Sequence, residues 1–109
     1  MRLPDNDGMA NYIAIIELHD AENEGDFQQL DVAMQERRFL PQILDDDGKA
    51  YWLPTGSYAI QNTDMVLKAA HDAAVSAAGE SGFEFSVIVT GFEECEWTNL
   101  ASVEESDAK

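Results

Sequence analysis

Asp45-Asp46-Asp47-Gly48-Lys49-Ala50-Tyr51-Trp52-Leu53-Pro54-Thr55-Gly56-Ser57-Tyr58-Ala59-Ile60 is the stretch on which the fold is read. An acidic run closed by Gly48 separates Ile43-Leu44 from an aromatic segment, the pattern of a hairpin at the centre of the chain. Pro54-Thr55-Gly56 interrupts the second arm. A bulge or bend is expected there, with Tyr51 to Leu53 and Ser57 to Gln61 pairing on either side. The first arm, Phe39 to Leu44, contains Pro41, which cannot donate to a ladder and so points to an edge position.

Outward from the hairpin, each side carries one strand pattern and one helix pattern. On the amino-terminal side, Tyr12 to His19 alternates, with Tyr12, Ala14, Ile16 and Leu18 sharing the face assigned to the core. Ile13, Ile15, Glu17 and His19 share the other. Asp26 is placed to cap a first helix, with Gln29 three positions on, and Phe27, Leu30, Ala33 and Met34 form its apolar stripe. Arg37 and Arg38 fall in its last turn, where cations complement the helix dipole. On the carboxyl-terminal side, Asn62 or Thr63 caps a second helix with Asp64 in its first turn. Its stripe is Val66, Leu67, Ala70, Ala74, Ala77 and Ala78, and Gly79 or Gly82 ends it. Phe83, Phe85, Val87 and Val89 then alternate with Glu84, Ser86, Ile88 and Thr90 as a last strand.

The order is strand, helix, strand, strand, helix, strand. Such a chain is expected to form an α+β, ferredoxin-like βαββαβ sandwich, with two helices on one face of a four-stranded antiparallel sheet. The other face is then open and displays Ile13, Ile15 and Ile88, with Trp52 beside them. Apolar residues on an uncovered face mark an interaction surface, and a homodimer through that face or through an exposed edge strand is expected. Residues 11–97 are read as one domain, residues 1–10 as a flexible leader in which Met9 is an alternative start, and residues 98–109 as a disordered acidic tail.

Composition narrows the partners. The 109 residues hold 22 acids against 6 bases, a formal charge of -16. That field repels phosphates and anionic lipid, so nucleic acid and membrane are unfavourable partners and a basic protein is a favourable one. The lone Cys95 can make no internal disulfide, and no apolar run has the flanks of a signal peptide or reaches the roughly 18 to 20 residues of a membrane span. A cytoplasmic location is expected.

No cofactor or metal site is expected either. Asp45 to Asp47 do not fit an EF-hand, because Ile43 occupies the first ligand place, and a turn accounts for them. Glu93, Glu94 and Glu96 beside Cys95 lack the histidine spacing of a zinc site and read as a solvated strand end. Gly56-Ser57 lacks the setting of a nucleophile elbow. Tyr51, Trp52 and Tyr58 could stack bases, but without lysines around them they read as packing residues.

The run Asp45 to Ile60, with its Asp-x-x-Gly turn and Ser57-Tyr58-Ala59-Ile60 ending, resembles the corresponding hairpin of the GhoS family. These are small ferredoxin-like antitoxins of type V toxin–antitoxin systems. Tyr12 to Leu18 and the element order agree, so the resemblance spans about residues 11 to 92 in outline. It implies endoribonucleolytic cleavage of a toxin message. No catalytic residue carries over from the family. RNA cleavage needs a base, an acid and a stabiliser for the pentacoordinate phosphate, and the residues that could be assembled are His19 as base with Arg37 or Arg38 as stabiliser. Nothing basic precedes Arg37 on the first helix, and Asp31 and Glu36 add negative charge. His19 and His71 have a plainer reading as partly exposed side chains.

Three functions therefore stand as expectations: an acidic protein-interaction module, antitoxin-like or regulatory and without a catalytic site; an endoribonuclease antitoxin; and a nucleic-acid mimic whose carboxylates occupy a basic partner.

Overall fold

The structure is a computed structural model that describes residues 9–104, so the proposed leader before Met9 and the last residues of the tail lie outside the described residues. Its elements are β1 (Ala10–Leu18), α1 (Gln28–Glu36), β2 (Gln42–Leu44), β3 (Ala50–Trp52), β4 (Ser57–Thr63), α2 (Leu67–Gly79) and β5 (Phe85–Gly91), with a 3-10 turn over Glu24–Phe27 before α1. The class is α+β with antiparallel sheets. β1 lies between β4 and β5, and β2 pairs with β3 in a second sheet.

The alternation of β1 sets the layers. Tyr12, Ala14, Ile16 and Leu18 are buried, and they meet Leu30, Ala33 and Met34 of α1 and Ala70, Ala74, Ala77 and Ala78 of α2 in one cluster. Tyr58 and Ile60 of β4 join it. An alanine stripe without exposed surface lets the α2 backbone come close to the strands, and Phe85, Val87 and Val89 fill the margin. The Tyr12 hydroxyl reaches across to donate to the Met65 carbonyl at 2.8 Å.

The sequence reading expects four strands in one sheet, whereas the described residues make three and two. The sheets touch at one bridge, Leu40 to Ala59, with reciprocal backbone bonds of 2.9 and 2.7 Å. Beyond it the Gln61 side chain takes over the role of a neighbouring strand: its amide oxygen accepts from Leu44 N–H at 3.0 Å. The cause is the Pro54-Thr55-Gly56 break. β3 stays with β2, the chain turns, and β4 crosses to β1, so the two hairpin arms never run continuously together.

Helix starts also shift. Asp26 does not cap α1; its carboxylate accepts the N–H groups of Glu22 and Asn23 at 2.8 and 3.3 Å and holds the preceding 3-10 turn. β4 runs through Thr63, where Asn62 adopts φ 60 and donates its N–H to Asn11 Oδ1, absorbing a register shift against β1. That delays α2, whose N-cap is Val66, and leaves Val66 and Leu67 exposed instead of in the stripe. At the other end, residues 98–104, which composition assigns to an unstructured tail, return to β3. Trp52 N–H donates to Ala101 O at 2.9 Å, Tyr51 bridges Ser102, and the Trp97 ring lies 5.3 Å from that of Tyr51.

Two glycines in the central stretch sit at positive φ for different reasons. Gly48, at φ 85, closes the Asp45 turn, and a Cβ there would meet nothing within 4 Å. Gly56, at φ 87, accepts the Ile16 N–H at its carbonyl oxygen, and a Cβ would stand 2.6 Å from the Ile16 carbonyl oxygen. Gly48→Ala should cost about 1 kcal/mol, the ordinary strain of a left-handed residue, whereas Gly56→Ala should cost about 3 kcal/mol or more because the central strand must also move. Thermal or urea unfolding of both variants checks the difference; equal losses would count against the close approach.

Candidate functional site

The face of the three-stranded sheet turned away from the helices carries Ile13, Ile15 and Glu17 from β1, with His19 just past its end, and Ser86, Ile88 and Thr90 from β5. Cross-strand register places Ile15 opposite Ile88 and Ile13 opposite Thr90. Ile15 is 48% exposed and Ile88 62% exposed, while Ile13 is half-buried. Directly opposed residues of an antiparallel pair stand close enough to touch, so Ile15 and Ile88 form one apolar patch. Glu17 and Ser86 flank it on the next row.

The same face is not bare along its whole length. Asn11 and Gln61, at the far end of β1 and β4, border a cleft whose other wall is Ile43 to Asp46 and Phe92 to Trp97. Ile43 and Ala59 are buried there, outside the main core. The second sheet and the chain after β5 therefore fold over one end of this face, and the Ile15–Ile88 end is left open. Asp46, Glu93, Glu94 and Glu96 line the covered end as an acidic rim, with Cys95 exposed among them. Asp45 serves the turn: its Oδ1 accepts N–H bonds from Asp47 and Lys49, both 2.9 Å.

Trp52 is elsewhere. The expectation places it beside the isoleucines, but β3 belongs to the second sheet and does not pair with β1. Trp52 lines a different cleft, with Phe27, Asp31, Pro54 and Tyr58. At the base of that cleft the buried Tyr58 hydroxyl donates to the Asp31 carboxylate. Desolvation pushes the Tyr58 phenol far above its ordinary value, and the adjoining Asp31 charge pushes the same way.

His19 lies at the end of β1 on the open face, with Nε2 2.9 Å from Ser86 Oγ and 3.9 Å from Glu17. Arg37 belongs to the helix layer on the other side of the sheet. Its guanidinium donates to the Ala33 carbonyl at 2.7 Å, the Ser76 hydroxyl at 3.1 Å and the Glu80 carboxylate at 2.7 Å, tying the end of α1 to α2. His19 and Arg37 are not brought together. Nor are the arginines in the last turn of α1, which ends at Glu36. Arg38 takes φ 72, with its N–H on Gln35 O and Phe39 N–H on Met34 O, the paired bonds of a Schellman closure sealed by buried Met34 and Phe39. The sequence signal missed here is the Phe39 that follows: a large apolar residue two places past the C-cap, Arg37, is the hydrophobic half of that closure. His71 is exposed on α2 beside Asp72.

Since Arg38 occupies the left-handed position that favours glycine, Arg38→Gly should raise stability by about 0.5 to 1 kcal/mol, read as a higher unfolding midpoint. An unfolded tyrosine ionises from about 10.0 upward while Tyr58 in the fold stays protonated. The unfolded chain therefore loses its proton first, so stability is intact below that value and falls as pH rises above it. Tyr58→Phe should flatten this alkaline loss, measured by urea unfolding across the range; an unchanged slope would refute the assignment. No protein-family model matches the chain, and no curated protein matches its sequence.

Proposed function

We propose that this chain is a protein-interaction module of antitoxin-like or regulatory type, built as a ferredoxin-like sandwich whose second sheet is the outer strand pair swung away at the Leu40–Ala59 bridge. The observation that carries the reading is the Ile15–Ile88 pair, exposed on a sheet face beside Glu17 and Ser86. A protein with so much negative charge keeps such a patch only at a solvation cost, and a partner that covers it recovers that cost. Glu17 and Glu84 near the patch, within a total charge of -16, select a partner with an apolar centre and a basic rim.

Three of the four described cations are engaged within the fold, and Arg38 is exposed. Arg37 is bound to Glu80, Lys68 lies 3.4 Å from Asp72, and Lys49 lies 5.7 Å from the Tyr51 ring centre. This favours a protein over a nucleic acid as the partner, and it leaves the mimicry of phosphates by carboxylates as a property of the rim.

The test compares capture of basic proteins by the immobilised chain and by its Ile15→Glu variant, at low and at high salt. The wild type should retain a defined partner whose binding weakens with salt, and Ile15→Glu should weaken it by about tenfold or more with the fold intact by circular dichroism. Equal retention by both forms would remove the patch from the account. Cleavage of RNA by the purified chain would favour the antitoxin resemblance in its enzymatic form instead.

A further inference from the structure

The outer edge of β5 has no partner among the described residues. β5 is the last strand of its sheet and pairs with β1, and of its outward carbonyls Gly91 O accepts from Thr90 Oγ1 at 3.4 Å. An uncovered edge is a template for another strand, and proteins usually blunt it with charge, proline or a bulge. Phe85-Ser86-Val87-Ile88-Val89-Thr90-Gly91 has no charged residue and no proline, and its register with β1 is unbroken from end to end.

Hydrogen-bond direction alternates along a strand, which identifies the free groups. His19 N–H donates to Glu84 O, and Phe92 N–H donates to Asn11 O. Even-numbered positions of β5 therefore turn N–H and C=O toward β1, and Phe85, Val87, Val89 and Gly91 turn theirs outward. An incoming antiparallel strand must meet these odd positions with outward groups of its own.

We propose that the incoming strand is β5 of a second copy of this chain, paired about a two-fold axis at Ile88. In that register Phe85 pairs with the partner's Gly91 and Val87 with the partner's Val89, so every outward N–H and C=O of the strand is used. The side chains match as well. Ser86 faces the partner's Thr90, the two β-branched valines face each other, and Ile88 faces the partner's Ile88 as a close, non-hydrogen-bonded pair with Cα atoms about 4.5 Å apart. Glu84 falls opposite the partner's Phe92. Centring the axis on Val89 would set Glu84 against the partner's Glu94, and centring it on Val87 would leave Gly91 unpaired. Charge placement and hydrogen-bond direction thus select one register, and the strand is complementary to itself in it.

The product is a continuous sheet across two chains with both helix layers on the same side. On the other side Ile15, Ile88, the partner's Ile88 and the partner's Ile15 form one row. The pairing goes beyond the docking reading and does not rest on it, since it follows from the strand edge alone. The salt dependence differs too. Two chains of charge -16 repel, so screening strengthens this association, whereas it weakens a basic partner's.

Sedimentation equilibrium of the full chain over a range of concentration and salt is the first measurement. A monomer–dimer equilibrium shifted toward dimer by salt is expected. Val89→Pro removes an outward N–H while leaving the β1 ladder intact, and should weaken dimerisation by about tenfold or more. In a Cys95→Ser background, Ile88→Cys should form an intermolecular disulfide on mild oxidation, whereas Thr90→Cys, displaced from the axis, should not. A chain that stays monomeric at the highest concentration and salt overturns the inference, as does a Thr90→Cys crosslink as efficient as that of Ile88→Cys. Loss of basic-partner capture in Ile15→Glu, with a monomeric wild type, would leave the docking reading standing and this one refuted.

Discussion

The structure depends on one strand that is hydrogen-bonded along both edges and must divide its side chains between two faces. β1 has no freedom to slip: a one-residue shift would carry Tyr12, Ala14, Ile16 and Leu18 out of the helix layer and place Glu17 in it. Small residues on α2 allow the helix to lie close, and larger ones on α1 fill the space left beside it. Burial of that single face orders β4 and β5, and the opposite face inherits whatever alternation leaves over. The exposed Ile15–Ile88 patch is the other half of the pattern that makes the core.

Among the described residues, Arg37 and Lys68 have carboxylate partners. Arg37 satisfies a carbonyl left free at the end of α1 and couples it to Glu80 beyond α2, in a site with only a quarter of the arginine side chain exposed. Arg38 closes the same helix through its backbone conformation. Lys68 and Asp72 form a solvent-exposed pair of the kind that contributes a few tenths of a kcal/mol. Few of the described carboxylates have a lysine or arginine beside them, and the acidic field around the molecule follows from that imbalance. In the proposed function, that field would draw basic partners from a distance and the apolar patch would supply what charge alone lacks, a contact that depends on shape.

The bend at Pro54-Thr55-Gly56 separates what is central from what is added. Gly56 passes so near the Ile16 backbone that no side chain fits, and from that point β4 belongs to β1. β3, before the bend, belongs with β2 and with the returning chain at Ala101 and Ser102. The second sheet therefore packs as a unit against one end of the open face and divides that face into a covered acidic cleft and a bare apolar end.

Alternation in residues 12–18 and 85–90, the leucine, alanine and methionine spacing of α1, and the alanine stripe of α2 are local periodicities. Those elements, their buried faces, the Asp45 turn and the break at Gly56 are legible from local pattern, because each is written within a few neighbouring residues. Tertiary structure alone decided which strand β3 keeps, where Trp52 points, how far β4 runs into the segment read as a helix start, and that residues 98–104 return to β3. These depend on pairings between residues far apart in the chain, whose closure cost and geometry no local pattern encodes. Arg37 shows the same division: its type and position near a helix end are legible, but two of its partners, Ser76 in α2 and Glu80 just past it, lie 39 and 43 residues away, and only packing brings them together.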